Sequence, residues 1–228
     1  MRQLTLLATG LIVLGVGSLM AAPVFPATQC DATPGAIVIT DPIDILFLNA
    51  TWTAPGFQCE QTDKLFSDFT TSGNASGVTM RLILQGTEPN DIHTINFNGN
   101  LVNAFSVSFT VTVDPMSPER THKVTLDLIS PSESGNPTVR KNVTELAPGV
   151  FSGSATATFA VPAIPIIVNP AASSLRVTDI YTPGINGSST GFGNGFFQQA
   201  VPEPGTTALF GAGLLALGFI SRRRRTNS

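Results

Sequence analysis

The chain has 228 residues, with 12 Lys and Arg against 15 Asp and Glu and a net charge of −3. Five of those bases, Arg2, Arg222, Arg223, Arg224 and Arg225, lie in the two apolar ends, so the segment between has seven bases against fifteen acids and a net charge of −8. An acidic body of about 175 residues can hold one full core, and it argues against nucleic acid and anionic lipid, which demand a basic face.

Residues 1–22 read as a signal peptide. Arg2 opens it, an uncharged run rich in Leu, Gly and Val follows over 4–20, and Ala21 and Ala22 supply small residues for signal peptidase. Pro23 disfavours a cut directly after Ala22, which points to Ala21 or the region of Ala27. An uncleaved signal anchor is the alternative; both readings export the body through the general secretion machinery.

Cys30 and Cys59 are the two cysteines, and in an exported segment a disulfide between them persists. Closing a loop of about 30 residues stabilises a fold by roughly 3 kcal/mol on the chain-entropy account. Free thiols or half of a metal site are the alternatives. A zinc site lacks partners, because His93 and His122 lie far from either Cys in sequence.

The body has the period of strands. Over 104–113, Phe105, Val107, Phe109, Val111 and Val113 alternate with Ser and Thr. Segments 122–128, 78–84 and 92–97 alternate likewise. Weaker candidates are 36–40, 45–48, 65–70, 138–144, 155–160, 164–168 and 175–181. Turn signals stand between them, such as Pro34-Gly35, Pro89-Asn90, Asp114-Pro115, Gly135-Asn136 and Pro148-Gly149. No stretch has a sustained helical period. The expected fold over 28–182 is an all-β antiparallel sandwich, jelly-roll-like. Residues 183–200, rich in Gly and Ser, read as a flexible linker, with Phe196 and Phe197 pinning a short last strand.

Constellations that could carry chemistry are sparse. Ser189, between Gly187 and Gly191, has nucleophile-elbow spacing, but its context is Gly-rich and both His residues precede it. Asp41, Asp44, Asp63, Asp68, Glu88 and Asp91 offer carboxylates to calcium, yet none has an EF-hand spacing. A glycosidase pair can form from carboxylates at any sequence distance. Sugar clefts usually present several Trp and Tyr platforms, however, and this chain has one of each, Trp52 and Tyr181. Sequons begin at Asn49, Asn74, Asn142 and Asn186 and read as strand and turn composition. No catalytic residue, metal or cofactor is expected.

The chain ends in three parts. Val201-Pro202-Glu203-Pro204-Gly205 is extended, since two prolines fix φ and remove two donors. An uncharged apolar segment occupies 206–221; about 16 helical residues reach roughly 24 Å, slightly short of a bilayer core of about 30 Å. Arg222, Arg223, Arg224 and Arg225 follow, able to snorkel and to hold the cytoplasmic side. A plain tail anchor is the bland reading. Residues 201–228 resemble the PEP-CTERM sorting signal, with Pro202, Glu203 and Pro204 as the sorting motif. That resemblance implies recognition by an exosortase, a membrane-embedded cysteine transpeptidase or protease. It also implies transient anchoring in the membrane and an association with exopolysaccharide and biofilm. Residues 59–69, where Cys59 precedes Asp63-Lys64 and Phe66-Ser67-Asp68-Phe69, and the strand at 175–181 are similar to segments of PEP-CTERM proteins without defined catalytic residues. The expected protein is a non-enzymatic surface or matrix component. A glycan-binding module or weak glycan-active enzyme of the matrix is the alternative.

Overall fold

A computed structural model of the protein describes residues 28–41, 43–86, 91–115, 117, 119–132, 134–146, 151–200 and 212–213. The signal peptide, the sorting residues Pro202, Glu203 and Pro204, and the cluster Arg222, Arg223, Arg224 and Arg225 lie outside those residues, as does nearly all of the helix expected at 206–221. Among the described residues no helix is long and apolar enough to cross a membrane.

The body is a pair of antiparallel sheets packed face to face. One sheet has seven strands in the order β1 (Ala36–Thr40), β2 (Asp44–Phe47), β5 (Thr79–Gln85), β6 (Ile92–Leu101), β13 (Ser189–Ala200), β8 (Glu119–Ile129) and β11 (Ile166–Ala172). The other has six, in the order β10 (Ser152–Thr158), β9 (Thr138–Glu145), β12 (Ser174–Thr182), β7 (Phe105–Val113), β4 (Lys64–Gly73) and β3 (Cys59–Gln61). Each strand segment expected from alternation overlaps one of these strands, although 159–160 and 164–165 lie outside them. The helical content among the described body residues is one turn, α1 (Asn49–Trp52), and a three-residue 3-10 turn at Cys30–Ala32.

The alternation builds the core directly. Phe105, Val107, Phe109, Val111 and Val113 of β7 are all buried, facing Phe97 of β6 and Phe192 and Phe196 of β13 across the sandwich. An aromatic network runs through it: Phe69 stacks on Phe109 with centroids 5.4 Å apart, and Phe97 meets Phe192 at 5.3 Å. Each such ring removes about 150–250 Å² from water, worth at most roughly 4–6 kcal/mol at 25 cal/mol per Å². Trp52 is fully buried and its Nε1 donates to the Val78 carbonyl at 3.0 Å. Tyr181 is buried too, and its hydroxyl donates to the Leu101 carbonyl at 2.7 Å. Burial pushes that phenol up to about 12. Neither ring is a surface platform.

The linker expected at 183–200 is corrected by the structure. Residues 189–200 form β13, paired with β6 on one side and β8 on the other. Phe192, Asn194, Phe196 and Gln198 keep strict period two and are buried inward. Gly191, Gly193 and Gly195 fall on the opposite phase, so over 191–195 the strand lacks side chains on its outer face rather than lacking structure. The glycines ahead of it also have a packing reason. Gly184, at φ +72°, lies so close to Gly135 that a Cβ there would strike the Gly135 carbonyl oxygen.

Candidate functional site

The outer face of the seven-stranded sheet carries a groove of about 340 Å³ centred on β13. Its floor is Gly193 and Gly195, where the pleat presents backbone alone. Asn96 and Thr94 of β6 stand opposite Gly193 and Gly195 on one wall. Asp127 and Thr125 of β8 stand opposite the same glycines on the other. Thr125 leans inward, its Oγ1 lying 2.6 Å from where a Cβ of Gly195 would be, and the Asn96 amide leans likewise over Gly193. Gln85, Ile92, Ile129 and Phe197 complete the lining. The Phe197 ring holds the Lys123 ammonium 3.5 Å above its centroid. Amide, hydroxyl and one carboxylate along a backbone floor suit a neutral, polyhydroxylated chain. A second depression, of about 510 Å³, lies between the sheet-edge strands β10 and β11, lined by Phe151, Val161, Ile164 and Ile166 and mostly apolar.

The acids considered for calcium are dispersed, and most have protein partners. Asp44 takes the Arg81 guanidinium, with Nε donating to Oδ1 at 2.7 Å. Asp68 accepts from Ser67 Oγ at 3.2 Å. Asp41 is fully exposed and its carboxyl is raised by a hydrogen bond with Asp31. Glu88 lies outside the described residues. Asp63 and Asp91 do converge, with His93, at one end of the core. Their ligand atoms lie within 4.8 Å of one another.

That end of the core is already tied up by the chain's own hydrogen bonds. Lys64 is fully buried and its Nζ donates to Asp63 Oδ1 at 2.8 Å, while Gln198 Nε2 donates to Asp63 Oδ2 at 2.6 Å. His93 Nε2 lies 2.8 Å from Asp91 Oδ2 and 3.6 Å from Asp63 Oδ1. Burial pushes Asp63 up, but the Lys64 charge and the two donors outweigh it and hold the carboxyl below its ordinary value. Burial lowers Lys64 and His93, more than their acidic neighbours raise them. A metal on Asp63, Asp91 and His93 would have to displace a lysine hydrogen-bonded to one of its ligands.

Cys30 and Cys59 are bonded, and both are buried. The bond fastens the 3-10 turn at the start of the body to β3. Ser189 Oγ shares its proton between the carbonyls of Ile129 at 2.6 Å and Gly191 at 2.7 Å. Asn49 spends its amide on the Ala75 carbonyl at 2.8 Å, and Asn74 caps its own turn by accepting from the Ser76 amide at 3.1 Å. Sequence reasoning missed the groove. Its signal was the Gly-x-Gly-x-Gly period over 191–195, visible once read against Phe192 and Phe196.

Two solved structures share a distant likeness. A carbohydrate-binding module determined with β-1,4-galactotriose is 11% identical, over 58% of this chain and 88% of that one, with a TM-score of 0.33. The enzymatically active domain of a bacteriophage CBA120 tailspike protein is 12% identical, over 58% of this chain and 19% of that one, with a TM-score of 0.27. Neither likeness bears on function. No curated protein matches the chain. Residues 200–225, which begin at the last residue of β13, match the family model of the PEP-CTERM protein-sorting motif; the chain carries that motif, which implies export and handling by an exosortase.

Proposed function

We propose that the protein is an exported surface or extracellular-matrix component, cut or transferred by an exosortase at Pro202-Glu203-Pro204, with a non-enzymatic sandwich as its working part. The observation that carries the reading is the sorting motif at 200–225. Residues 1–22 act as the signal peptide met by signal peptidase. Residues 206–221 hold the motif at the membrane until it is processed, and Arg222, Arg223, Arg224 and Arg225 keep the end cytoplasmic. The non-enzymatic reading is supported by the carboxylates at the end of the core being tied to Lys64, His93 and Gln198. Replacing Pro202, Glu203 and Pro204 by alanine should leave synthesis and export intact and trap a membrane-held precursor. Trimming and release like the parent would refute the assignment.

A glycan-binding role for the body is favoured by the glycine floor between Asn96 and Asp127. On this reading the ligand is the neutral exopolysaccharide of the producing cell, held by hydrogen bonds along β13. The test is retardation of the purified protein in a gel containing that polysaccharide. Retardation lost on Gly193→Val, with melting unchanged, supports the groove; equal mobility with and without polysaccharide refutes it.

A further inference from the structure

Three polar side chains meet in the apolar middle of the sandwich, on the face of β13 opposite the groove. Lys141 of β9 and Asp179 of β12 stand opposite each other in the six-stranded sheet. Asn194 reaches them from β13 in the facing sheet. All three are fully buried. Lys141 Nζ donates to Asp179 Oδ1 at 2.7 Å, and Asn194 Nδ2 donates to Asp179 Oδ2 at 2.8 Å. One carboxyl therefore touches an amine with one oxygen and a carboxamide with the other. Their register neighbours are apolar: Val107 beside Asp179, Ile95 and Leu126 beside Asn194.

As a structural device this trio is poor. A buried ion pair loses more on desolvation than a hydrophobic pair of similar volume would. Asn194 Oδ1 is buried with no hydrogen-bond partner among the described residues. The same arrangement is well made for chemistry, because an amine, an amide carbon and a proton carrier are held together in a dry, rigid site.

We propose that Lys141 and Asn194 become joined by an amide bond between Nζ and Cγ, with Asp179 as the proton carrier. Asp179 takes a proton from the ammonium through Oδ1, which frees the Nζ lone pair. Burial favours this transfer, since it lowers the pKa of Lys141. Nζ attacks Cγ of Asn194, Asp179 delivers that proton through Oδ2 to Nδ2, the atom it already touches, and the second proton that the attacking Nζ must shed passes to Asp179 Oδ1. The Nζ–Cγ bond forms, the Cγ–Nδ2 bond breaks, and the nitrogen leaves as ammonia. Nothing is oxidised or reduced, and no further reactant is consumed. In the product the buried charge pair is gone, and the carbonyl that had no partner can accept from Asp179 in its acid form. The bond would clamp β13, the strand leading into the sorting motif, to the opposite sheet with a link that neither denaturant nor reductant opens.

The test is the mass of the mature protein purified from producing cells, reduced and denatured, followed by peptide mapping. The expected result is a mass one ammonia below that of its mapped sequence, with the loss located in a branched peptide joining Lys141 to Asn194. An Asp179→Ala variant that keeps the β circular dichroism of the parent should show the full mass and two linear peptides. Linear peptides in the parent overturn the proposal, whatever the variant does. So does loss of one water with Lys141 joined to Asp179, which is a different reaction.

Discussion

Removing the Cys30–Cys59 bond should lower the melting temperature without changing the fold. The two residues are 29 apart in sequence, and both are buried. Opening that loop returns roughly 3 kcal/mol of chain entropy to the unfolded state. The turn it fastens is otherwise held to β3 by little: the Glu60 amide donates to the Thr28 carbonyl at 3.0 Å, and Gln29 bridges Glu60. For a domain of this size 1 kcal/mol moves the midpoint by about 2–4 °C, so the Cys30→Ala, Cys59→Ala double variant should melt roughly 6–12 °C below the oxidised parent. Thermal denaturation followed by circular dichroism reads this directly, with the reduced parent as a second comparison. A double variant that melts with the parent would refute the reasoning. Two reactive thiols in the unfolded, unreduced mature protein would refute it more simply.

Stability should fall on acidification. His93 is buried with its pKa lowered, so below about pH 6.5 the unfolded chain binds a proton that the fold resists. Asp63, also lowered, adds a second loss as pH falls below its ordinary value of 3.8. A urea midpoint at about pH 5 equal to that at about pH 7.5, at unchanged m-value, would contradict the His93 assignment. Gly184→Ala should destabilise by on the order of 3–5 kcal/mol, because φ is +72° and the Cβ meets the Gly135 backbone; Gly56→Ala, at φ +76° in open space, should cost only about 1–2 kcal/mol. Equal chemical-denaturation losses in the two variants would refute the close approach. Phenolate absorbance in the native protein should titrate near 12 for Tyr181, and a normal midpoint would mean that its ring is not buried as described.

Much of the sandwich was legible because its strands bury one face and solvate the other, and alternation records that directly. β7 and β8 are examples, with Val107 and Leu126 in phase with the core. β13 was not legible by composition, since glycine at every second position resembles a linker. Reading phase instead of content recovers it. The same reading exposes the central trio: Lys141 lies between Val139 and Val143, Asp179 between Val177 and Tyr181, and Asn194 between Phe192 and Phe196. Each is a polar residue on the apolar phase of its strand. What no phase could supply is their meeting, which depends on the register of β9 against β12 and on two sheets facing each other. The convergence of Asp63, Asp91 and His93 was hidden for the same reason. Lys64, next to Asp63 in sequence, belongs to it through the hydrogen bond to that carboxylate. The sorting motif was readable outright, since its parts follow one another along the chain.

The most direct measurement is mass spectrometry of the mature protein from producing cells, giving both termini. Export followed by exosortase processing predicts an N-terminus between residues 22 and 28. It also predicts a C-terminus at or near Pro202-Glu203-Pro204, with the apolar segment and the four arginines absent. A mature chain that retains residues 206–228 would contradict it.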